Sequence, residues 1–381
     1  MSKFIKFWNG KDTSHAGYLD ALKGIAILAV TLIHTGGGAL SGVWGAIGNS
    51  GANGVQLFFV ISGYLAFLSM RHMFPGRKEM NLKSVLKWYG KKYVRLVPLF
   101  YIAMIIYMLT QNWSTYWLGT EGNVSVKNVV AHIFLVHGLF PHYTDSILGV
   151  EWYLGVLVLF FLITPLLYYF VDSLSKAVLL LLIIQVLTPC INTLLKMWIP
   201  VDNDPVIYNT YLENFGPINQ LFVYCLGITL FFTIQKFQES KSAESLKSRM
   251  FLSYELLAFA VVMMYGQLYS KSQLFLLSNS STWGLWFFVL LLSQAIHACP
   301  IINNPFFRLC GKYSYGIYLF QFIWINNYGR FITVNSFLAK FAVSFFGLLV
   351  ISIVLTKFID QPLQRLLNSG KKDGKIDVKM T

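Results

Sequence analysis

Ten stretches of about 20 mostly apolar residues run through this chain, near 18–36, 54–71, 94–110, 149–171, 176–198, 216–234, 251–269, 282–302, 312–332 and 336–358. Each is long enough to cross the ~30 Å hydrocarbon layer of a bilayer as a helix. Within that layer every backbone N–H and C=O needs an internal partner, so long apolar runs of this kind dictate helices. The expected fold class is therefore an all-α polytopic membrane protein with about ten transmembrane helices. The charge content agrees: 12% of the 381 residues are charged and 56% are hydrophobic, about half the charge density of a soluble domain. The same numbers exclude disordered, collagen-like and disulfide-rich scaffolds. The four cysteines (Cys190, Cys225, Cys299, Cys310) show no paired spacing and read as small apolar residues. The first apolar run is too long for a signal-peptide core and lacks a small-residue cleavage site, so no cleavable leader is expected.

The chain carries 30 Lys+Arg against 16 Asp+Glu, a net charge of +14. In a soluble protein that excess points to nucleic acid; here membrane topology accounts for it, and no nucleic-acid partner is expected. Eight basic residues and one acid, Glu79, lie between Arg71 and Arg95. Further basic groups sit at the N-terminus (Lys3, Lys6, Lys11), after residue 234 (Lys236, Lys241, Lys247, Arg249) and in the tail (Lys371, Lys372, Lys375, Lys379). The positive-inside rule places all four segments in the cytoplasm. Segment 37–53 is uncharged, and 199–215 holds Asp202, Asp204 and Glu213 without a base; both belong outside. Two cytoplasmic segments, 71–92 and 235–250, require an even number of crossings between them. Four are already present, so the short stretch 124–140 does not cross and is expected to be a re-entrant or interfacial helix. Both termini are then cytoplasmic. Residues 1–367 form a single transmembrane domain and 368–381 a basic, disordered cytoplasmic tail.

Ionisable residues within or at the ends of apolar spans are costly and mark functional candidates. Lys23 and His34 stand eleven residues apart, close to three helical turns, so they share a face about 16 Å apart along the axis. A cation at the cytoplasmic end and an imidazole at the outer end suit a long anionic substrate threaded between them. Snorkelling of Lys23 and interfacial capping by His34 fit the spacing equally. Glu151 opens the span after Gly149, at the depth of His34, where a carboxylate orients an imidazole base; the alternative is an interfacial acid in an aromatic belt with Trp152 and Tyr153. Lys92 and Arg95, at i and i+3, share a face where the third span leaves the cytoplasm, as a phosphate clamp or as ordinary cytoplasmic anchors. His132, His137 and His142 step by five, about 140° of helical rotation each time, so they do not share a helix face and no metal site is expected. Gly36-Gly37-Gly38 lacks the context of a P-loop and reads as a flexible outer loop.

Taken in order, these segments resemble the membrane-bound acyltransferase family 3, which includes bacterial O-acetyltransferases of surface polysaccharides, over about residues 15–365. The resemblance is carried by Leu19-Asp20-Ala21-Leu22-Lys23-Gly24 with His34 beyond it, by Phe58-Phe59-Val60-Ile61-Ser62-Gly63-Tyr64, and by Lys92-Tyr93-Val94-Arg95-Leu96-Val97-Pro98. Glu151, the run Gly311-Lys312-Tyr313-Ser314-Tyr315 with Tyr318-Leu319, and Asp360-Gln361-Pro362 complete it. Lys23 and Lys92 stand where arginine is commoner. Ser146-Ile147-Leu148 replaces Trp-Ser-Leu, Gln321 sits where members often have histidine, and Pro165 lies farther from Glu151 than in many members. No counterpart is expected within these 381 residues of the soluble, extracytoplasmic esterase-like domain fused to some members.

The resemblance implies an integral, multi-pass protein of the bacterial cytoplasmic membrane. It implies acetyl-CoA or another acyl-CoA as co-substrate, no tightly bound cofactor, and a hydroxyl of a glycan or lipid-linked saccharide as acceptor. His34 and Glu151 match the catalytic pair, His34 as general base oriented by Glu151. Lys23, Lys92 and Arg95 match the donor-linked basic residues. Ser314, Tyr315, Tyr318, Gln321 and Trp152 are the substrate-binding candidates, the first three also as donors to a developing oxyanion. A glycolipid transporter or flippase, with the same polar groups lining a path, is the competing reading.

Overall fold

A computed structural model describes residues 17–115, 122–198, 205–240, 246–269 and 277–369. Among them there is no sheet, only an isolated antiparallel bridge between Ser114 and Asn123. The helices are α1 (Gly17–His34), α2 (Gly42–Ser50), α3 (Gly54–Met73), α4 (Leu82–Thr110), α5 (Val126–Ile133), α6 (Trp152–Phe170), α7 (Leu174–Trp198) and α8 (Pro205–Thr210). They continue with α9 (Pro217–Ser240), α10 (Leu246–Tyr269), α11 (Asn279–Ile296), α12 (Pro305–Lys312), α13 (Ser314–Asn327), α14 (Phe337–Leu355) and α15 (Gln361–Ser369). π-Helical turns at Tyr211–Phe215 and Thr356–Asp360 lie between α8 and α9 and between α14 and α15. Local chemistry sets many of the starts. Asn81, Ser125, Ser278, Asn304 and Ser336 each accept a hydrogen bond from a backbone N–H of the first turn they precede, satisfying donors the helix itself leaves open.

Eight helical runs among the described residues are long and apolar enough to cross a membrane: α1, α2–α3, α4, α6, α7, α8–α9, α10 and α14–α15. The chain is thus an all-α polytopic membrane protein, with two fewer such runs than the ten expected. The other two expected spans are helical but differ in kind. α11 opens on Asn279-Ser280-Ser281-Thr282, which dilutes its apolar length. The 312–332 span holds only the 14-residue α13, which ends at Asn327 before a 3-10 turn at Tyr328–Arg330 and whose roughly 21 Å falls short of the hydrocarbon thickness.

The 124–140 stretch contains the eight-residue α5, about 12 Å long. Leu135, at φ 56°, turns the chain out of the helix. The Gly36–Gly38 region is not a loose loop: a 3-10 turn at Gly37–Ala39 leads into α2, with Gly36 and Gly42 at positive φ supplying the turns a side chain resists. Most of the expected tail lies outside the described residues, as do Lys3, Lys6, Lys11, Lys241, Asp202 and Asp204; α15 itself runs to Ser369.

Two glycine seams hold the centre together. A Cβ on Gly24 would fall against the Phe307 carbonyl, and one on Gly311 against the Asp20 carbonyl, so α1 and α12 touch backbone to backbone. Gly63 on α3 and Gly227 on α9 meet the Tyr224 and Val60 carbonyls in the same way. Close approach of this kind is how helices associate where lipid removes the hydrophobic drive between them. On the strongly basic side, Arg77 donates to the Tyr168 and Val171 carbonyls and lies 4.3 Å from the Tyr168 ring centre. It caps the open carbonyls at the end of α6, where a cation also favours the helix dipole.

Candidate active site

The α1–α12 seam puts Lys23 beside the start of α13, and α4 brings Lys92 and Arg95 to the same place. Together they line a cavity of about 550 Å³, with Ser314, Tyr315 and Tyr318 of α13 on its wall. The volume is that of a small-molecule site. Four cations (Lys23, Lys92, Arg95, Lys312) and two carboxylates (Asp20, Asp360) line it. Lys23 Nζ donates to Asp20 Oδ1 at 2.9 Å. Lys92 Nζ lies 5.1 Å and 5.2 Å from the Trp88 and Phe161 ring centres, as a cation held on aromatic faces. Asp360, in the π turn, accepts from Gln364 through Oδ2 at 2.9 Å, while its buried Oδ1 has no partner among the described residues. The expected donor-linked trio therefore converges.

The hydroxyls on that wall are already engaged. Tyr315 donates to the Leu96 carbonyl at 2.7 Å, Tyr318 to the Val150 carbonyl, and Ser314 to the Gly311 carbonyl at 2.8 Å. Their protons tie α13 to α4, to the turn before α6 and to α12, so these groups shape the cavity and are not free oxyanion donors. Trp152 stands away from the cavity: its ring stacks on Phe215 at 4.7 Å, and its neighbour Tyr153 lines the cavity instead.

His34 and Glu151 do not form the expected pair. The His34 Nδ1–H donates to Gln321 Oε1 at 2.8 Å, and its ring lies 4.7 Å from that of Phe322. Glu151 is fully buried and spends its oxygens elsewhere. Oε1 accepts from the Ile147 and Leu148 N–H groups at 2.6 and 3.0 Å, and Oε2 from Val150 N–H at 3.0 Å. His132 Nε2 approaches Oε1 at 3.4 Å. Gln321, read as a substrate-binding residue, is thus the group that fixes the tautomer of His34, leaving the Nε2 lone pair available.

The sequence reading also passed over a buried imidazole pair. His132 and His137 stack at 4.2 Å with planes 5° apart, because α5 ends at Ile133 and the turn at Leu135 returns His137 to His132. The five-residue step argued only for a continuous helix. His132 Nδ1–H donates to the Asn128 carbonyl at 2.9 Å and His137 Nε2–H to the Glu151 carbonyl at 3.1 Å. Asp145, fully buried beside Glu151, has its carboxyl pushed well above the usual range by burial and then by that neighbouring carboxylate. No group of three or more His, Cys, Asp or Glu side chains with metal-binding geometry occurs among the described residues. His142 packs separately, edge-on to Tyr208 at 5.3 Å.

A bundle of apolar helices thus holds a cationic cavity and, on α1, a half-buried histidine whose ring nitrogen is fixed by an amide. The acyltransferase domain of acyltransferase family 3 matches residues 16–357, and the chain belongs to that family. Among curated relatives, proteins of Staphylococcus aureus strains COL and MW2 named "Putative O-acetyltransferase" are each 23% identical over 350 residues, covering 86% of this chain and 53% of theirs. The chain thus spans about half the length of the curated relatives it matches. No solved structure matches it.

Proposed function

We propose that this protein transfers an acyl group, acetyl in the simplest case, from acyl-CoA on the cytoplasmic side of a bacterial cytoplasmic membrane to a hydroxyl of a glycan or lipid-linked sugar. The observation that carries this reading is the convergence of Lys23, Lys92 and Arg95, from two helices, in one cavity of about 550 Å³. Cations gathered in a walled site suit the phosphates of the donor. The cavity also adjoins the part of α4 richest in basic residues, which the positive-inside rule assigns to the cytoplasm.

From Lys23 the donor's pantetheine arm follows α1 toward His34, about 16 Å along the helix. Gln321 holds the Nδ1 proton, so His34 Nε2 takes the proton of the acceptor hydroxyl as its oxygen attacks the thioester carbonyl. The new C–O ester bond forms, the C–S bond breaks, and the imidazolium returns its proton to the departing thiolate. Glu151 serves as a positioning residue: its three backbone hydrogen bonds shape the 147–151 turn, whose Val150 carbonyl receives Tyr318 from the cavity wall.

The test is transfer of labelled acetyl from acetyl-CoA in membranes containing the protein. His34→Ala is expected to lower transfer by at least about 100-fold. Lys92→Ala and Arg95→Ala are each expected to raise the KM for acetyl-CoA by about tenfold, with a smaller change in kcat. Full transfer by His34→Ala expressed at the normal level overturns the catalytic assignment.

A further inference from the structure

A second cavity, of about 360 Å³, lies at the other end of the same two helices that wall the cationic one. On α13, Ser314, Tyr315 and Tyr318 face the first cavity, whereas Phe322, Asn326 and Asn327 line the second. On α4, Lys92 and Arg95 face the first, whereas Tyr107 and Thr110 line the second, joined by Gln111 just beyond the helix. Between the two along α13 comes Gln321, which with the adjoining Phe322 holds His34. Phe322 therefore has His34 against its ring and also forms part of the second cavity's wall. The Ile323 N–H donates to the Tyr107 hydroxyl at 3.0 Å, which fixes α4 to α13 at the base of the cavity.

The chemistry of the two ends differs sharply. The first is lined by four cations, the second by one, Arg330, among three amide side chains, hydroxyls of Thr110, Ser114 and Thr115, and aromatic rings, with no acid. Thr110, Thr115 and Asn327 already donate to the backbone carbonyls of Ile106, Gly122 and Ile323, which leaves their oxygens to accept from a ligand, and the aromatic faces cover C–H surface. That combination fits a ligand made of hydroxyls on a carbon ring, and is a poor match for a polyphosphate.

We propose that the second cavity is the acceptor site and takes a saccharide, one of whose hydroxyls reaches His34 past Phe322. This rests on the acyl-transfer reading, which already names a sugar acceptor, and adds to it the place where that acceptor sits and the side chains that hold it. It also accounts for the position of His34, which lines neither cavity but is held by Gln321, which lies between them, and by Phe322, on the wall of the second.

The experiment measures two things on the same full-length variants: base-releasable acetate in the surface glycans of cells expressing them, and binding of acetyl-CoA to the purified protein. Asn327→Leu and Gln111→Leu are expected to lower glycan acetate by at least about tenfold while leaving acetyl-CoA binding within twofold of the parent. Unchanged glycan acetate in both overturns the proposal, and so does loss of acetyl-CoA binding in protein that still runs as a single species, because the cavity then belongs to the donor.

A folding-independent arm uses Asn326→Cys in a Cys190→Ser background, assayed before and after a membrane-impermeant maleimide is added to intact cells. Asn326→Cys by itself is expected to lower acetate incorporation, and labelling to abolish what remains. Labelling that leaves incorporation intact overturns the assignment. Failure of the parent protein to bind acetyl-CoA at all would count against the acyl-transfer reading itself. A parent that binds acetyl-CoA yet adds no acetate to glycans would count against the saccharide alone.

Discussion

α9 and α7 are both long apolar helices that would insert into a membrane on length and composition, yet 78% of the α8–α9 apolar stretch is buried within the protein against 6% of that of α7. Apolarity alone does not decide burial: α10, with a mean hydropathy of 1.4 against 1.6 for α8–α9, is only 11% buried. What separates α9 from α7 is how closely another backbone can come and which polar groups need partners. α9 carries Gly227 in its seam with α3, and Asn219, Gln220 and Thr229 buried along its length. α7 touches the centre through Asn192, whose amide donates to Asn219 at 2.7 Å, and turns Leu182 and Val186 outward. In lipid, apolar side chains gain little by leaving their solvent, so small residues and satisfied polar groups decide which helices form the interior.

The largest expected effect comes from breaking a seam. Gly227→Leu forces a side chain against the Val60 carbonyl and the Tyr64 backbone, atoms that cannot give way, and is expected to cost about 3 kcal/mol or more. The matched change on a peripheral helix is Gly266→Leu on α10, where a Cβ meets nothing within 4 Å. Removing a helix-interior glycine from an open position is expected to be neutral or to stabilise by up to about 1 kcal/mol. Thermal denaturation of the purified proteins in one detergent checks both. Equal losses at the two positions would show that α10 is as closely covered as α9.

A smaller effect is expected from the carboxylates. Glu151→Gln keeps the shape but turns one acceptor oxygen into a donor facing a backbone N–H, in a fully buried setting. The expected cost is about 1.5–3 kcal/mol. Asp172→Asn, at the exposed ion pair with Lys176 near the start of α7, is expected to leave the melting temperature unchanged within error, because solvent-screened pairs contribute little. A loss at Asp172 matching that at Glu151 would remove the distinction between centre and periphery for polar groups.

Much of this arrangement was legible in the sequence, for reasons that vary by feature. The spans were readable because apolar length is a local property, and the basic side because Lys and Arg are counted without knowing contacts. The gathering of Lys23, Lys92 and Arg95 followed from depth: residues at the same level of a bundle share a layer. The partners of His34 and Glu151 did not follow, because depth says nothing about rotation. Both sit near span ends, but α1 turns His34 toward Gln321 of α13, 287 residues away, whereas Glu151 is consumed by the amides of its own turn. The His132–His137 stack was hidden by the assumption of a continuous helix, although Leu135 offers no glycine or proline to announce a left-handed residue. The short α13 was masked by an apolar count that runs past its end at Asn327 into the turn at Tyr328–Arg330.

The smallest effect is expected from Leu182→Ala. In a close-packed interior this truncation costs 2–5 kcal/mol, because the transfer energy of three carbons is lost and a cavity remains. Leu182 is 60% exposed, so no cavity forms there, and lipid fills the space vacated. The unfolded reference in a membrane also keeps the helix in lipid, so the transfer energy cancels as well. Both contributions vanish together, and the melting temperature is expected to stay within about 1 °C of the parent, since even 1 kcal/mol shifts a protein of this size by only a few degrees. A drop as large as that of an interior leucine would mean that the outer face of α7 is covered in the assembled protein. The contrast between α7 and α9 would then be one between two kinds of interface and no longer one between interface and lipid.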